Sequence, residues 1–395
     1  MANFKQNVSN AFRPVANFFH RTNKKQGFRS VIAGVLSILI GLFCGFIIMV
    51  CIKPDAAGAG LWTLISTGFT SPAAFGRALY KATPMIFSGL GIAFAFKLGL
   101  FNIGITGQVT IGAFCSLLAG LSGMNWFVCM LVGAICGAIA GFIPGWLKAK
   151  FNVNEVLSGI MLNWVIYYII GILGNTVVPN SFKDKASPSE LLMMPSSGQM
   201  PSLGIPQMEG VSVGIIIAIF VVIIVFVVLN MTTFGFELKM TGRNKNASTY
   251  AGVNQTKSTI LALTISGALA GICGYMLYAD PGAPSKFLWD SSSNTLLSDG
   301  FNGISVSLIA QNSPIGCIFS SLLLTLIDVS KNSLKTVSNG YYNIHYTELI
   351  KAVIIYIAAL SSFFNILLIK WNDANELKDY FKRYKTKKQL KEEGK

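Results

Sequence analysis

Residues Val211–Asn230 read VSVGIIIAIFVVIIVFVVLN, twenty positions without a charge. At a rise of about 1.5 Å per residue such a run covers about 30 Å, the depth of one hydrocarbon core. In hydrocarbon the backbone N–H and C=O groups find no water, so a run of this kind satisfies them within a helix. Similar runs recur along the chain. Charged residues make up only 12% of the 395 positions, about half the share usual in a soluble domain. The fold class that follows is all-α, a polytopic transmembrane helical bundle.

The apolar pattern predicts ten spans, at about 31–51, 84–100, 102–121, 125–147, 155–178, 211–230, 258–279, 293–311, 314–328 and 346–369. The second, third, eighth and ninth are short or broken by glycine and asparagine. The first follows a basic segment and carries no cleavage-site pattern, so it reads as a retained helix. An even number of spans puts both termini on one side. Placing them in the cytoplasm leaves most of the 31 lysines and arginines inside, as the positive-inside rule requires. The expected organisation is a basic cytoplasmic segment over 1–30, a transmembrane domain over 31–369 and a basic cytoplasmic tail over 370–395, suited to anionic lipid headgroups. The formal charge of +15 therefore speaks for membrane orientation, with no nucleic-acid partner. The seven cysteines lie in or beside apolar runs, without CxxC spacing or a nearby histidine. They read as small buried residues rather than metal ligands or a disulfide framework.

Two patterns concern packing and flexibility. Gly133, Gly137, Gly141 and Gly145 recur every fourth residue in GAICGAIAGFIPG. Such a stripe strips one helix face of side chains and lets another backbone approach; Pro144 is expected to kink that helix. In GLFNIGITGQVTIG (Gly99–Gly112) glycines and amides stand where a bilayer calls for leucine and valine. Irregular backbone survives at membrane depth only when buried in protein or beside a watery cavity. Asn102, Gly104, Gly107 and Gln108 thus point to an interrupted helix facing a pathway, or, for Asn102 and Gly104, to a tight cytoplasmic turn. Gln108 already lies inside the next apolar run. A second stretch, FNGISVSLIAQNSPIGCIFSSLL from Phe301, shares the Phe-Asn start, the glycine-rich opening and the IG…SLL ending. Glycine-broken segments at matching places in two halves are a pointer to a transport route.

Glu155, Asp299, Asp328, Glu348 and Lys351 fall at or near span ends. A carrier coupled to protons or sodium needs an ionisable or ion-coordinating group near mid-membrane, so the energy is expected from outside the chain. The loop Thr232–Thr259 holds a short capped helix, with Asn244 or Asn246 as N-cap and Gly252 at the left-handed C′ position. Ala247, Tyr250 and Ala251 share one face. Two small residues and one aromatic make a knob for a partner's groove; the alternative is a surface helix that staples two spans.

Four blocks carry a family resemblance: TPMIFSGLGIAFAFKLGLFNIGITGQVTIGAF (Thr83–Phe114), FNVNEVLSGIMLNW (Phe151–Trp164), GRNKNASTYAGVNQTKSTILALTISGALAGICG (Gly242–Gly274) and SDGFNGISVSLIAQNSPIG (Ser298–Gly316). In order and spacing they resemble permease subunits of bacterial ABC importers for simple sugars and nucleosides, closest to the nucleoside branch. The resemblance implies a multi-pass plasma-membrane subunit that is not an enzyme. It implies a separate ATPase subunit, a second permease chain (identical or different) and an extracellular substrate-binding lipoprotein. Gly242, Arg243, Asn244, Ala247, Tyr250, Ala251 and Gly252 would form the ATPase-coupling segment. The stretches Asn102–Gln108, with Thr106, and Asn302–Gln311 would line the translocation path. The family usually carries an acidic residue where Thr106 stands and an aspartate where Asn302 stands. No GxxxxGK[ST] loop occurs, so no cofactor is expected on this chain and ATP would bind the partner ATPase.

A neutral, planar, hydroxylated ligand calls for a few amides and hydroxyls beside an aromatic face. Asn102, Gln108, Asn163, Asn302, Ser305 and Gln311, with Phe101, Trp164 and Phe301, are the candidates. For Asn163 and Ser305, hydrogen bonding between helices stands beside ligand contact. The competing classes are a stand-alone secondary carrier or channel for a small polar solute, and a membrane scaffold. A membrane enzyme would need a catalytic cluster, and His20 and His345 lie in a tail and a loop without metal-ligand spacing.

Overall fold

Four glycines on one helix fix where the bundle is tightest. The computed structural model describes residues 26–183, 194–208, 210–279, 287, 299–342, 344–360 and 366. Within them the helices are α1 (Gln26–Ile52), α2 (Pro54–Ser66), α3 (Pro72–Lys97), α4 (Ile105–Leu121), α5 (Trp126–Phe151), α6 (Glu155–Thr176), α7 (Gly214–Met231), α8 (Thr233–Arg243), α9 (Lys245–Tyr250), α10 (Gln255–Ala279), α11 (Asp299–Ile309), α12 (Pro314–Val329), α13 (Lys331–Val337) and α14 (Ile344–Ala359). Ser202 and Ser212 form an isolated antiparallel bridge.

The stripe on α5 meets a second stripe on α10. A methyl group at Gly137 would lie 2.7 Å from Gly271 Cα, and one at Gly141 3.0 Å from Gly267 Cα. Going the other way, Gly267 would meet Gly141 Cα at 2.9 Å. No side chain fits between these backbones, so the four-residue spacing of glycine is a packing requirement. Helix α4 joins the same contact: a methyl at Gly112 would stand 2.5 Å from Gly271 Cα. Pro144 lies inside α5, which runs through it to Phe151.

By its contacts the chain divides into two units, residues 1–47 with 352–395, and residues 48–351. In the first, Gly41 lies against Ile354. The second contains both glycine-broken segments. Its centre is α3, whose apolar window is 78% buried, more than that of any other long apolar helix. Phe87 and Phe94 of α3, Phe114 of α4 and Tyr275 of α10 are fully buried there. The outer faces remain apolar: Ile135 and Ile139 of α5 and Ile216, Phe220 and Ile223 of α7 are exposed. A soluble protein rarely exposes such a surface, whereas acyl chains solvate it.

Among the described residues seven helical stretches are long and apolar enough to cross a membrane, the run Pro314–Val337 of α12 and α13 counting as one, with α4 as a shorter apolar helix beside them. Several boundaries differ from the sequence expectation. The second span starts at Pro72 rather than near 84: Ser71 accepts the Ala74 N–H at 3.1 Å and Pro72 opens the helix. This is a start signal with a fixed φ and a side-chain cap. Pro84 lies inside it. The expected span at 293–311 contains α11, whose 11 residues cover about 16 Å, half of a hydrocarbon core; residues 293–298 lie outside the described ones. The basic ends before residue 26 and after 366 lie outside them too, as do 184–193 and 209 of the loop ahead of α7.

Candidate functional site

Between α3 and α4 the chain leaves helical geometry, and glycine makes this possible. Gly99 has φ +78°, a left-handed conformation that favours residues without Cβ. Gly104 approaches Gly159 of α6 so closely that a methyl on Gly159 would lie 2.7 Å from the Gly104 nitrogen. That approach draws three amides together. The Asn102 amide donates to Gln108 Oε1 at 2.8 Å and to Ser266 Oγ of α10 at 2.9 Å. Asn163 accepts the Gly107 N–H at 2.9 Å and donates to the Ile103 carbonyl at 3.1 Å. Asn102, Gln108, Asn163 and Ser266 are all buried. Each amide therefore meets its polar needs inside the protein, and α4, α6 and α10 are tied at one level.

The second broken segment is built differently. A methyl at Gly300 would lie 2.5 Å from Thr106 Cα, and Gly303 packs against Ser88 of α3. These two glycines press the first turn of α11 onto α3 and α4. Ser88 Oγ donates to the carbonyls of Asp299 and Gly300, each at 3.2 Å. Thr106 Oγ1 is buried without a hydrogen-bond partner. At its far end α11 stops at two left-handed residues, Gln311 (φ 51°) and Asn312 (φ 56°). Ser313 then caps α12, with Pro314 in its first turn. The Gln311 Nε2 is buried and unpartnered.

Asp299 and Asn302, one turn apart on α11, face a cavity of about 500 Å³. Its charged lining is balanced: Lys81, Lys331 and Lys351 against Asp299, Asp328 and Glu348. Lys351 is 5% exposed and reaches both oxygens of Asp328, at 3.1 and 3.0 Å. Lys331 bridges Asp328 at 3.1 Å and pairs with Glu348. Sequence reading left Asp299, Asp328, Glu348 and Lys351 at separate span ends; the fold collects them in one place. The signal in the sequence was charge persisting beside apolar runs, with nothing to say that the charges meet.

The loop after α7 forms the knob. Thr232 caps α8, accepting the Gly235 N–H at 3.2 Å. Asn244, rather than Asn246, caps α9, accepting the Ala247 N–H at 3.1 Å. Gly252 is left-handed (φ +80°), as its C′ position requires. Gln255 holds α9 from behind, donating to Ser248 Oγ at 3.0 Å and Thr249 Oγ1 at 2.6 Å. Ser248 is buried, whereas Ala247 and Ala251 are exposed and Tyr250 is 93% exposed. Gly242 lies on the end of α3: a methyl there would be 2.9 Å from the Leu98 carbonyl carbon.

Of the sequence candidates, the structure brings Asn102, Gln108 and Asn163 together and sets Thr106 beside Gly300. Phe101 packs edge-on against Phe96 at 5.1 Å. Trp164 and Phe301 are exposed, Ser305 is half-buried, and Gln311 lies at the other end of α11 from Asn302. Among the described residues no group of three or more His, Cys, Asp or Glu is arranged to hold a metal ion.

Residues 74–361 match the family model described as branched-chain amino acid transport system / permease component. The chain is 29% identical over 351 residues to the nucleoside ABC transporter permease protein NupB of Lactococcus lactis, covering 87% of this chain and 94% of that one. It is 31% identical over 296 residues to the guanosine ABC transporter permease protein NupP of Bacillus subtilis, 73% and 82% of the two chains. It is also 27% identical over 345 residues to the glucose ABC transporter permease protein TsgB13 of Haloferax volcanii, 84% and 87%. No solved structure matches.

Proposed function

The chain belongs to the branched-chain amino acid transport system permease component family, and on that premise we propose that it forms the membrane path for nucleosides entering the cell. It is the membrane-spanning permease subunit of an ABC transporter, set in the plasma membrane in several passes and not itself an enzyme. The family brings with it an ATPase and a substrate-binding protein. The observation that carries the nucleoside reading is the likeness to NupB and NupP across most of their lengths. A second permease chain beside this one, a lipoprotein form of the binding protein, ten crossings and cytoplasmic termini complete the proposal.

In this reading the knob from Gly242 to Gly252 seats in the ATPase, with Tyr250 as its tip. Gly242 rests on the backbone of Lys97 and Leu98. A push on α9 and α8 thus reaches the end of α3 and the Gly99–Gly104 break with no side chain between to absorb it. The break is where the bundle hinges. Asn102, Gln108 and Asn163 keep the frame aligned, and Thr106 seats α11 upon it. Asn302 and Ser305 of α11, flanked by Phe301, line the route; Phe101, Trp164 and Gln311 shape its edges. The loop between α1 and α3, with the described part of the loop ahead of α7, forms the outer mouth; the third loop expected there, between α10 and α11, lies outside the described residues apart from Phe287.

The test is uptake by the complete transporter in proteoliposomes. Guanosine should enter with ATP, and glucose should not compete. Tyr250→Ala should insert in normal amounts, since an exposed residue contributes within about 0.5 kcal/mol to stability, yet lose ATP-driven uptake. Uptake by the permease alone, without an ATPase, would make it a stand-alone carrier and overturn the reading.

A further inference from the structure

The cavity at the start of α11 has a chemistry that no relative's name assigns. We propose that Asp299 and Asn302 bind the vicinal hydroxyls of the permeant's ribose, and that the Asp328–Lys331–Glu348–Lys351 network walls this site on its other side. The proposal rests on the nucleoside reading above and adds the group recognised and the residues that recognise it.

The cavity volume, about 500 Å³, falls in the ordinary range for small-molecule sites. Three cationic and three anionic side chains line it, so no net field favours an ion, and a neutral polar ligand fits best. Two of the cations are engaged. Lys351 and Lys331 both reach Asp328, and Lys331 also pairs with Glu348. Asp299 stands apart from these ion pairs. Asn302, one turn on, lines the cavity beside it, and a carboxylate offers four or so acceptor positions. A carboxylate next to an amide oxygen accepts two adjacent hydroxyls, as the acidic residue of dinucleotide folds accepts a ribose hydroxyl. Hydroxyl donors to an ionised acceptor are roughly twice as strong as neutral pairs.

Position supports the same use. Asp299 is the first described residue of α11, held by Ser88 through its own carbonyl and by Gly300 packing on Thr106. The carboxylate is thus fixed to the hub formed by α3 and α4, and hinge motion at the Gly99–Gly104 break moves it. Tyr80 and Pro84 of α3 line the cavity opposite α11, presenting an aromatic ring and an apolar surface to a base. In the orientation proposed above, Tyr80, Met276 and Lys351 all lie toward the outer ends of their helices. The cavity then faces the side from which substrate arrives.

The experiment uses the permease–ATPase complex in nanodiscs, without binding protein, so that selectivity comes from the membrane part. Binding of radiolabelled guanosine and of 2′,3′-dideoxyguanosine is measured for wild type and Asp299→Asn, alongside uptake by the complete transporter. Wild type should bind guanosine at least about tenfold more tightly than the dideoxy compound, as expected when charge-assisted hydrogen bonds are lost. Asp299→Asn should weaken guanosine to the dideoxy level and leave dideoxyguanosine within about twofold. Should Asp299→Asn fail to assemble, Asn302→Ala is read in the same way, with a smaller loss for guanosine. Guanosine affinity unchanged in the variant, no wild-type preference for the diol, or no guanosine binding while uptake proceeds would each overturn the site and leave the transport reading standing. Absence of guanosine uptake by the wild-type transporter would overturn both.

Discussion

The two glycine-broken segments open with the same dipeptide, Phe101-Asn102 and Phe301-Asn302, yet their amides do opposite work. Asn102 and Gln108 are buried against each other and against Ser266. Asn302 sits on a cavity beside a carboxylate, and Gln311 ends its helix in a left-handed turn with its amide nitrogen unpaired. The difference lies in the neighbours. The first segment leans on Gly159 and on Asn163 of α6, close enough for every amide to find a partner. The second leans on α3 and α4 through Gly300, Gly303 and Val306 and on α12 through the bond from Ser320 to the Val306 carbonyl, while Asp299 and Asn302 meet a charged cavity. An amide in an apolar run is thus a mark of either a closed joint or a wet surface, and only the packing partner decides which.

Several substitutions break or sharpen this contrast. The largest effect on stability is expected from Asn102→Leu. It strands Gln108 Oε1 and Ser266 Oγ in the interior, at about 1–3 kcal/mol for each orphaned group. Thermal melting of the purified permease should drop by several degrees, and uptake should fall in step with the amount of folded protein. Asn302→Leu at the matching place should move the melt by less than half as much, because its surroundings are half-open, while cutting guanosine uptake at equal protein. Gln311→Gly should be nearly silent in the melt, within about 1 kcal/mol. It removes the strain of a left-handed side chain and an unpaired donor, against the entropy that glycine adds to the unfolded chain. A melt in which Asn302→Leu matches Asn102→Leu would erase the distinction between frame and route.

What the sequence made legible follows from local physics. The four-residue glycine period on α5 foretold a close backbone approach, and α10 supplies it. The caps of α9 narrow to Asn244 because its side chain reaches the Ala247 N–H, and the Ala247–Tyr250–Ala251 face is exposed as its spacing implied. The helix boundary at Pro72 was encoded in Ser71-Pro72, yet the apolar pattern alone begins only at about residue 84. The least legible feature was the charged cavity. Asp299, Asp328 and Lys351 are far apart along the chain, and their meeting depends on how α11, α12 and α14 fold back, which no local pattern records. The mutual pairing of the amides was hidden for the same reason: period shows which face a residue occupies, and says nothing of the helix opposite.

The account turns on water reaching Asn302 and not Gln108. Cysteine placed singly at each position in the assembled transporter, and exposed to a membrane-impermeant thiol reagent during ATP-driven turnover, tests this directly. The account predicts labelling at Asn302→Cys above the level of the native thiols, with guanosine protecting it, and no labelling at Gln108→Cys. Labelling at Gln108→Cys with Asn302→Cys inert would contradict it.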